Sequence, residues 1–327
     1  MDIAQISIFD FLINQRIIDK VVPGFVRNIL PVIVGFILCG FPAKAQIFTP
    51  SDTLNEKRLL FATTTTTVGY GATLVGLNEL WYKDYPRSSF HFFDDNAAWL
   101  QMDKAGHVLT SYQLGRYGYE VMKWAGTSEK SAIWIGGNFG LFFLTSIEVM
   151  DGFSEEWGFS TGDAFANAGG TALFIGQELV WGEQRMSLKF SYSPSTYAAL
   201  RPETLGNGGM ESILKDYNGQ TYWLSINPSS FSRKQDSFLP WLNVALGYGA
   251  NGMLGGDYNP CYNAAGDLLP PTERYRQYFL SLDIDLSRIK TESDFLKTVF
   301  SVVGFIKIPA PTLELSEDKL TWHWLYF

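Results

Sequence analysis

The chain has 327 residues, of which 16% are aromatic and 18% charged, enough apolar material for a large core and too little charge for a disordered chain. The formal net charge of −8 and the lack of any Lys/Arg run argue against a nucleic-acid partner. No phosphate-loop, dinucleotide or serine-elbow motif is present, so no nucleotide is expected either, and the length suits two domains.

Residues 1–45 read as an export signal with an N-terminal extension. Arg27 precedes the apolar run Ile29 to Leu38, and the small-residue pattern Ala43-Lys44-Ala45 predicts cleavage before Gln46. Phe36-Ile37-Leu38 lacks the small residue that normally adjoins a lipidated cysteine, so Cys39 is expected to leave with the signal. Cys261 is then the single remaining thiol, which precludes an internal disulfide. The expected location is the periplasm or outer membrane of a Gram-negative cell.

Residues 46–182 read as a helical domain. Asp52 to Glu56 marks a helix start, followed by an uncharged run from Leu59 to Asn78. The five-threonine run Thr63 to Thr67 and three glycines make it only weakly apolar, which predicts a buried or interfacial helix rather than a membrane span. Trp81 to Trp99 reads as an ordered aromatic loop carrying Asp94 and Asp95. Helices are then predicted from about Asp103 to Trp124, Ala132 to Met150 and Ser160 to Val180.

Polar residues recur inside these helices at spacings that place them on one face. Asp103 and His107 are four apart, Glu148 and Asp151 three apart, Asp163 and Asn167 four apart, so three helices can join their polar faces within an apolar bundle. A carboxylate one turn from His107 can orient the ring and raise its basicity, as a proton-transfer site requires. Asp103, His107, Glu148 and Asp163 are therefore the candidate catalytic residues, with Lys104, Asp151 and Asn167 as candidate binding residues. Each has a structural alternative. Asp103 would equally cap a helix start, Lys104 would be a solvated charge, and Glu148 and Asp151 would be an exposed helix end. Ser160-Thr161-Gly162-Asp163 has the form of a capping box, and a buried Asn167 must find partners. No cofactor is required by any motif, and HExxH or paired cysteines are lacking, yet the acids and His107 leave a divalent metal open.

After Trp181 the pattern changes to alternation, in Leu188 to Tyr192, Tyr222 to Ile226, Leu242 to Tyr248 and Tyr278 to Leu286. Residues 183–327 are thus expected to form an antiparallel amphipathic sheet, with a helix near Asp294 to Val302 and a turn at Pro309-Ala310-Pro311. Thr321 to Phe327 ends the chain as an aromatic strand. Five or six strands are fewer than the roughly eight a closed membrane barrel needs, so the sheet is expected to pack on the helices with aromatic rims against lipid. The fold class is α+β: a helical bundle followed by an antiparallel sheet.

On Asp103-Lys104-Ala105-Gly106-His107, Glu148 to Asp151, and Ser160 to Asp163 with Asn167 and Gly169-Gly170, the chain resembles the YfiM-like domain of unknown function, number 2279, described as predicted periplasmic lipoproteins. The resemblance covers about residues 100 to 180. Lys215 to Trp223 is similar to envelope versions with a strand-rich extension. A looser similarity runs to VanZ-like membrane proteins. Neither family implies a defined reaction, so two functions are carried forward. One is a non-enzymatic outer-membrane scaffold or assembly factor whose partners are outer-membrane lipid or envelope proteins. The other is a hydrolase of lipid or envelope polymer.

Overall fold

The computed structural model describes residues 49–82, 85–232 and 239–327. The export signal and Cys39 lie outside the described residues. Within them, Cys261 is free and exposed.

Helix α1 spans Glu56–Leu77, capped by Asn55, whose side chain accepts from the Arg58 amide. Ala62 is its buried position, and the rest of the helix is exposed or half-exposed. Of the buried and interfacial alternatives the buried one fails, because its polar threonines offer no apolar stripe to turn inward. The Phe92–Phe93 strand, β1, pairs in parallel with β2, Phe159–Ser160, and ties the aromatic loop to the start of the last long helix.

Helix α2, Met102–Trp124, is the central helix. Helix α3, Phe139–Asp151, follows a short helical turn and a π segment, and α4 covers Thr161–Trp181. Two glycines explain how closely these three pack. A Cβ at Gly140 would collide with the Ser111 backbone, and one at Gly170 with the Val108 carbonyl, so α3 and α4 both approach α2 at backbone distance. Tyr112, Ile133, Phe174 and Ile175 form the apolar core between them.

The sheet is a six-stranded antiparallel meander of β3 (Met186–Tyr192), β4 (Gln220–Ile226), β5 (Leu242–Asn251), β6 (Tyr275–Ile284), β7 (Ala310–Ser316) and β8 (Lys319–Tyr326). Helix α5, Asp294–Val303, lies between β6 and β7. The architecture is α+β, with the helices N-terminal to the sheet. The Pro309-Ala310-Pro311 turn does not interrupt the sheet as expected. Ala310 and Pro311 begin β7, where an irregularity between Ala310 and Thr312 accommodates a residue that cannot donate.

The alternation of the strands is as read, but its direction is reversed over much of the sheet. Lys189, Ser225, Asn243, Ser281, Asp283 and Thr312 are buried, while Leu246, Tyr278, Leu280, Leu282 and Leu315 on the opposite face are exposed. Lys189 Nζ lies 2.6 Å from Asp283 Oδ2, which also accepts from Ser225 Oγ at 2.6 Å. Lys307 lies over the Trp223 ring, and burial pulls its ammonium down to about 8. The backbone of Phe190 bonds to Phe305 and Lys307, so the segment after α5 covers the free edge of β3. Tyr326 of β8 packs against Trp223 and Phe279 on the enclosed face. Helix α2 covers the start of the apolar face: Leu188 packs on the helical core and the Tyr222 hydroxyl abuts Gly106.

Candidate functional site

The N-terminus of α2, the C-terminus of α3 and the N-terminus of α4 meet at one end of the bundle. Their polar residues line a cavity of about 570 Å³. Asp95, Asp103, Glu148, Asp151, Glu156, Asp163 and Asp257 supply its carboxylates, while Tyr82, Trp99, Trp157 and Tyr217 form aromatic walls.

His107 stands at the centre. Its Nδ1 lies 3.0 Å from Asn167 Oδ1, an acceptor, so Nδ1 carries a proton and Nε2 is the nitrogen turned toward the cavity. Nε2 then faces Asp163 Oδ1 at 3.7 Å, Glu148 Oε1 at 3.8 Å and Asp103 Oδ1 at 3.9 Å. These are too long for hydrogen bonds. Four electron-rich atoms thus surround one small volume. Asp103, His107 and Asp163 each present a ligand atom within 4.8 Å of the others, a donor set suited to a divalent cation.

The surroundings differentiate the acids. Glu148 is 2% exposed, and burial with Asp163 and Asp151 nearby pushes its carboxyl up to about 9. Its Oε2 accepts from the Ser160 amide at 3.2 Å, while Oε1 faces His107. Asp151 is half-buried, accepts from the Tyr82 hydroxyl at 2.5 Å, and is pushed up to about 6 by burial. Burial and Asp103 also raise Asp163. Asp103 accepts from the Tyr217 hydroxyl at 2.9 Å; burial, together with Asp103, holds that phenol well above its ordinary value, so it stays a donor.

Lys104 is a half-buried hub here, not a solvated charge. Its Nζ lies 2.8 Å from both Asp95 and Asp163 and 3.3 Å from Asp103 Oδ2. Burial opposes its charge, but these carboxylates, Asp103 foremost, hold the ammonium above its ordinary value. The ammonium thus places its charge directly beside the buried Asp163 Oδ1. Asp95 sits below its ordinary value despite burial, because Lys104 and the Ser160 hydroxyl, 2.6 Å away, favour its anion.

The capping box forms by half. Ser160 Oγ accepts from the Asp163 amide at 3.1 Å, but the Ser160 amide goes to Glu148 and not back to Asp163. That exchange frees the Asp163 carboxylate for the cavity. Asp103, likewise, is not a cap: its oxygens meet Tyr217 and Lys104. Asn167 is fully buried against His107, with its Nδ2 lacking a partner.

All seven candidate residues therefore gather at one end of the bundle. Sequence reasoning missed Asp95, Tyr82, Ser160 as a ligand of Asp95, and Tyr217. Asp95 was visible as part of an acidic pair in an aromatic loop; Tyr217 comes from the strand-rich half and has no local signal. Trp99, Leu100 and Gln101, with φ of 50°, 50° and 66°, form a left-handed turn directly before α2. Such backbone costs about 1–2 kcal/mol per residue. The Trp99 amide bonds to Gly256 at 2.7 Å, Tyr248 donates to the Leu100 carbonyl, and Gln101 donates to the Asn96 carbonyl at 2.7 Å, so loops and sheet hold the turn that aims Asp103 inward.

Fold and site define an α+β protein whose helical half carries a buried carboxylate–histidine centre. Residues 91–175 match the family described as predicted periplasmic lipoprotein (DUF2279). The matched segment holds Asp103, Lys104, His107, Glu148, Asp151, Asp163 and Asn167, and supports an exported, periplasmic location; the sheet lies outside it. No curated protein and no solved structure matches the chain.

Proposed function

We propose that the chain is an envelope hydrolase acting on a lipid or an envelope polymer at the outer membrane. The observation that carries this reading is the placement of His107 Nε2, oriented by Asn167 and facing the cavity beside Asp103, Glu148 and Asp163. A neutral His107 is a base, and Glu148, whose carboxyl burial pushes up to about 9, is the acid beside it. His107 Nε2 removes a proton from water as its oxygen adds to the electrophilic centre. Glu148 gives its proton to the departing oxygen, and the proton on His107 returns to Glu148 by way of cavity water. Asp103, held by Tyr217, stabilises the imidazolium that forms. Asp103, His107 and Asp163 would hold a divalent cation, which would supply Lewis-acid activation of water, with Glu148 beside them as proton carrier.

A second reading, a non-enzymatic scaffold or assembly factor, draws on the exposed apolar face of the sheet. Incubating the purified protein with an envelope extract, with and without EDTA, and reading products by mass spectrometry separates the two. The hydrolase yields new cleavage products, and His107→Ala lowers their rate by about 100-fold or more. Loss of product with EDTA selects the cation-dependent form. Absence of product in every condition leaves the scaffold.

A further inference from the structure

The sheet is inverted relative to a soluble one, and the inversion is orderly. In register across the sheet, Leu188, Leu224, Leu246, Leu280, Leu313 and Trp322 form one apolar row, with Leu188 against the helices and Leu246, Leu280 and Trp322 exposed. The neighbouring row toward the cavity holds Phe190, Tyr222, Tyr248, Tyr278, Leu315 and Leu320. The enclosed face meanwhile spends a lysine, an aspartate and a chain of hydroxyls and amides on itself. A sheet in water turns these faces the other way. Trp324 is 81% exposed and Trp322 52%.

Apolar exposure is not confined to one patch, as a protein partner would require. Phe61, Val68 and Val75 of α1, Phe142 and Val149 of α3, and Phe165 and Val180 of α4 are exposed as well. Helix α1 carries no charged residue from Leu59 to Asn78. Its 22 residues, at about 1.5 Å each, reach the roughly 30 Å of a hydrocarbon layer. Among the described residues, the helical stretch Glu129–Asp151 is the one both long and apolar enough to cross a membrane. Exposure on several elements at once is met by an apolar solvent.

We propose that the outward face of β5 to β8, together with α1 and α3, sits in the acyl layer of a bilayer, with the tyrosine row at headgroup level. From Tyr278 to Ile284 the apolar column of β6 is about 20 Å long, which is enough for deep insertion and short of a full barrel wall. The cavity lies at the tyrosine end: Tyr248 donates to Leu100, Arg276 bonds Gln101 at 2.6 Å, and Tyr217 enters the site just before β4. Its mouth therefore opens at the membrane surface. Resting on the hydrolase reading, this narrows the substrate to a lipid-borne molecule presented at headgroup level.

Flotation tests the surface independently of chemistry. The full exported chain, removed from detergent into vesicles of phosphatidylethanolamine and phosphatidylglycerol, is expected to float with them after a high-salt wash. Leu280→Lys and Trp324→Lys, each introducing a charge on the outward face, should each lower the bound fraction about tenfold. Trp322 and Trp324 should be quenched by bromine-labelled acyl chains, with the Trp322→Phe/Trp324→Phe variant losing that share and confirming depth in a folded protein. His107→Ala should float as the unaltered chain does, so failure of the hydrolase reading leaves this result intact. Sedimentation without vesicles, as a monodisperse detergent-free dimer whose outward tryptophans escape quenching, overturns the proposal in favour of a second copy on this face.

Discussion

At the scale of single residues, the organisation follows from which nitrogen of His107 holds the proton. Asn167 fixes that choice, and its side chain cannot be removed without leaving Nδ1–H buried and unpaired. Asn167→Ala is expected to destabilise folding by about 1–3 kcal/mol in chemical denaturation, with the His107→Ala/Asn167→Ala pair markedly less than additive. Additive losses would show that the two do not act as a unit. Glu148 makes a pH prediction. The folded chain holds its proton more tightly than the unfolded chain does, so its contribution is complete below the ordinary carboxylate range and is lost as pH rises toward about 9. In EDTA, the melting temperature should fall across that interval, and Glu148→Gln, which stays neutral, should flatten the curve. An unchanged slope in the variant would assign the dependence elsewhere. Much of this centre was legible from i, i+3 and i, i+4 spacing alone, because helices convert sequence intervals into faces. Tyr217 and Lys104 were not legible in the same way: Tyr217 arrives from a distant strand end, and the burial of Lys104 depends on Asp95 in a loop without periodicity.

At the scale of elements, close approach of α3 and α4 to α2 brings Glu148 and Asp163 to His107. Gly140 stands against the Ser111 backbone, where no side chain can be accommodated without moving a helix. Gly140→Val should destabilise the chain by about 3 kcal/mol or more and reduce product formation by the same displacement. A variant with native melting would mean that α3 tolerates a shift the packing does not permit. Helix extents were close to expectation because their apolar pattern and caps are local. Strand β7 was hidden because Pro309 and Pro311 read as a break, whereas an edge irregularity admits Pro311 into pairing. The left-handed turn at Trp99 to Gln101 carries no glycine, so only contacts with Gly256 and Tyr248, remote in sequence, define it.

At the scale of the molecule, alternation revealed strands but could not say which face turns inward, since period two is the same for either orientation. Here the polar face is enclosed, and its Lys189–Asp283 pair makes the point testable. Lys189→Ala leaves Asp283 buried without its cation and should cost about 3–5 kcal/mol, whereas Lys189→Met with Asp283→Leu should recover most of that loss. Equal losses in single and double variants would indicate that the enclosed face depends on the pair for its shape. The same arrangement sets the acidic cavity at one rim, where helices and strand ends jointly build it.

The measurement closest to the central claim is a paired one: product formation from envelope extract and thermal melting for the unaltered chain, His107→Ala and Glu148→Gln in one detergent. A reactive centre predicts that both variants lose product formation by about 100-fold or more while melting within a few degrees of the unaltered chain, or above it. Loss of melting temperature in step with activity, or full product formation by His107→Ala, would contradict the account and leave these residues as a structural network.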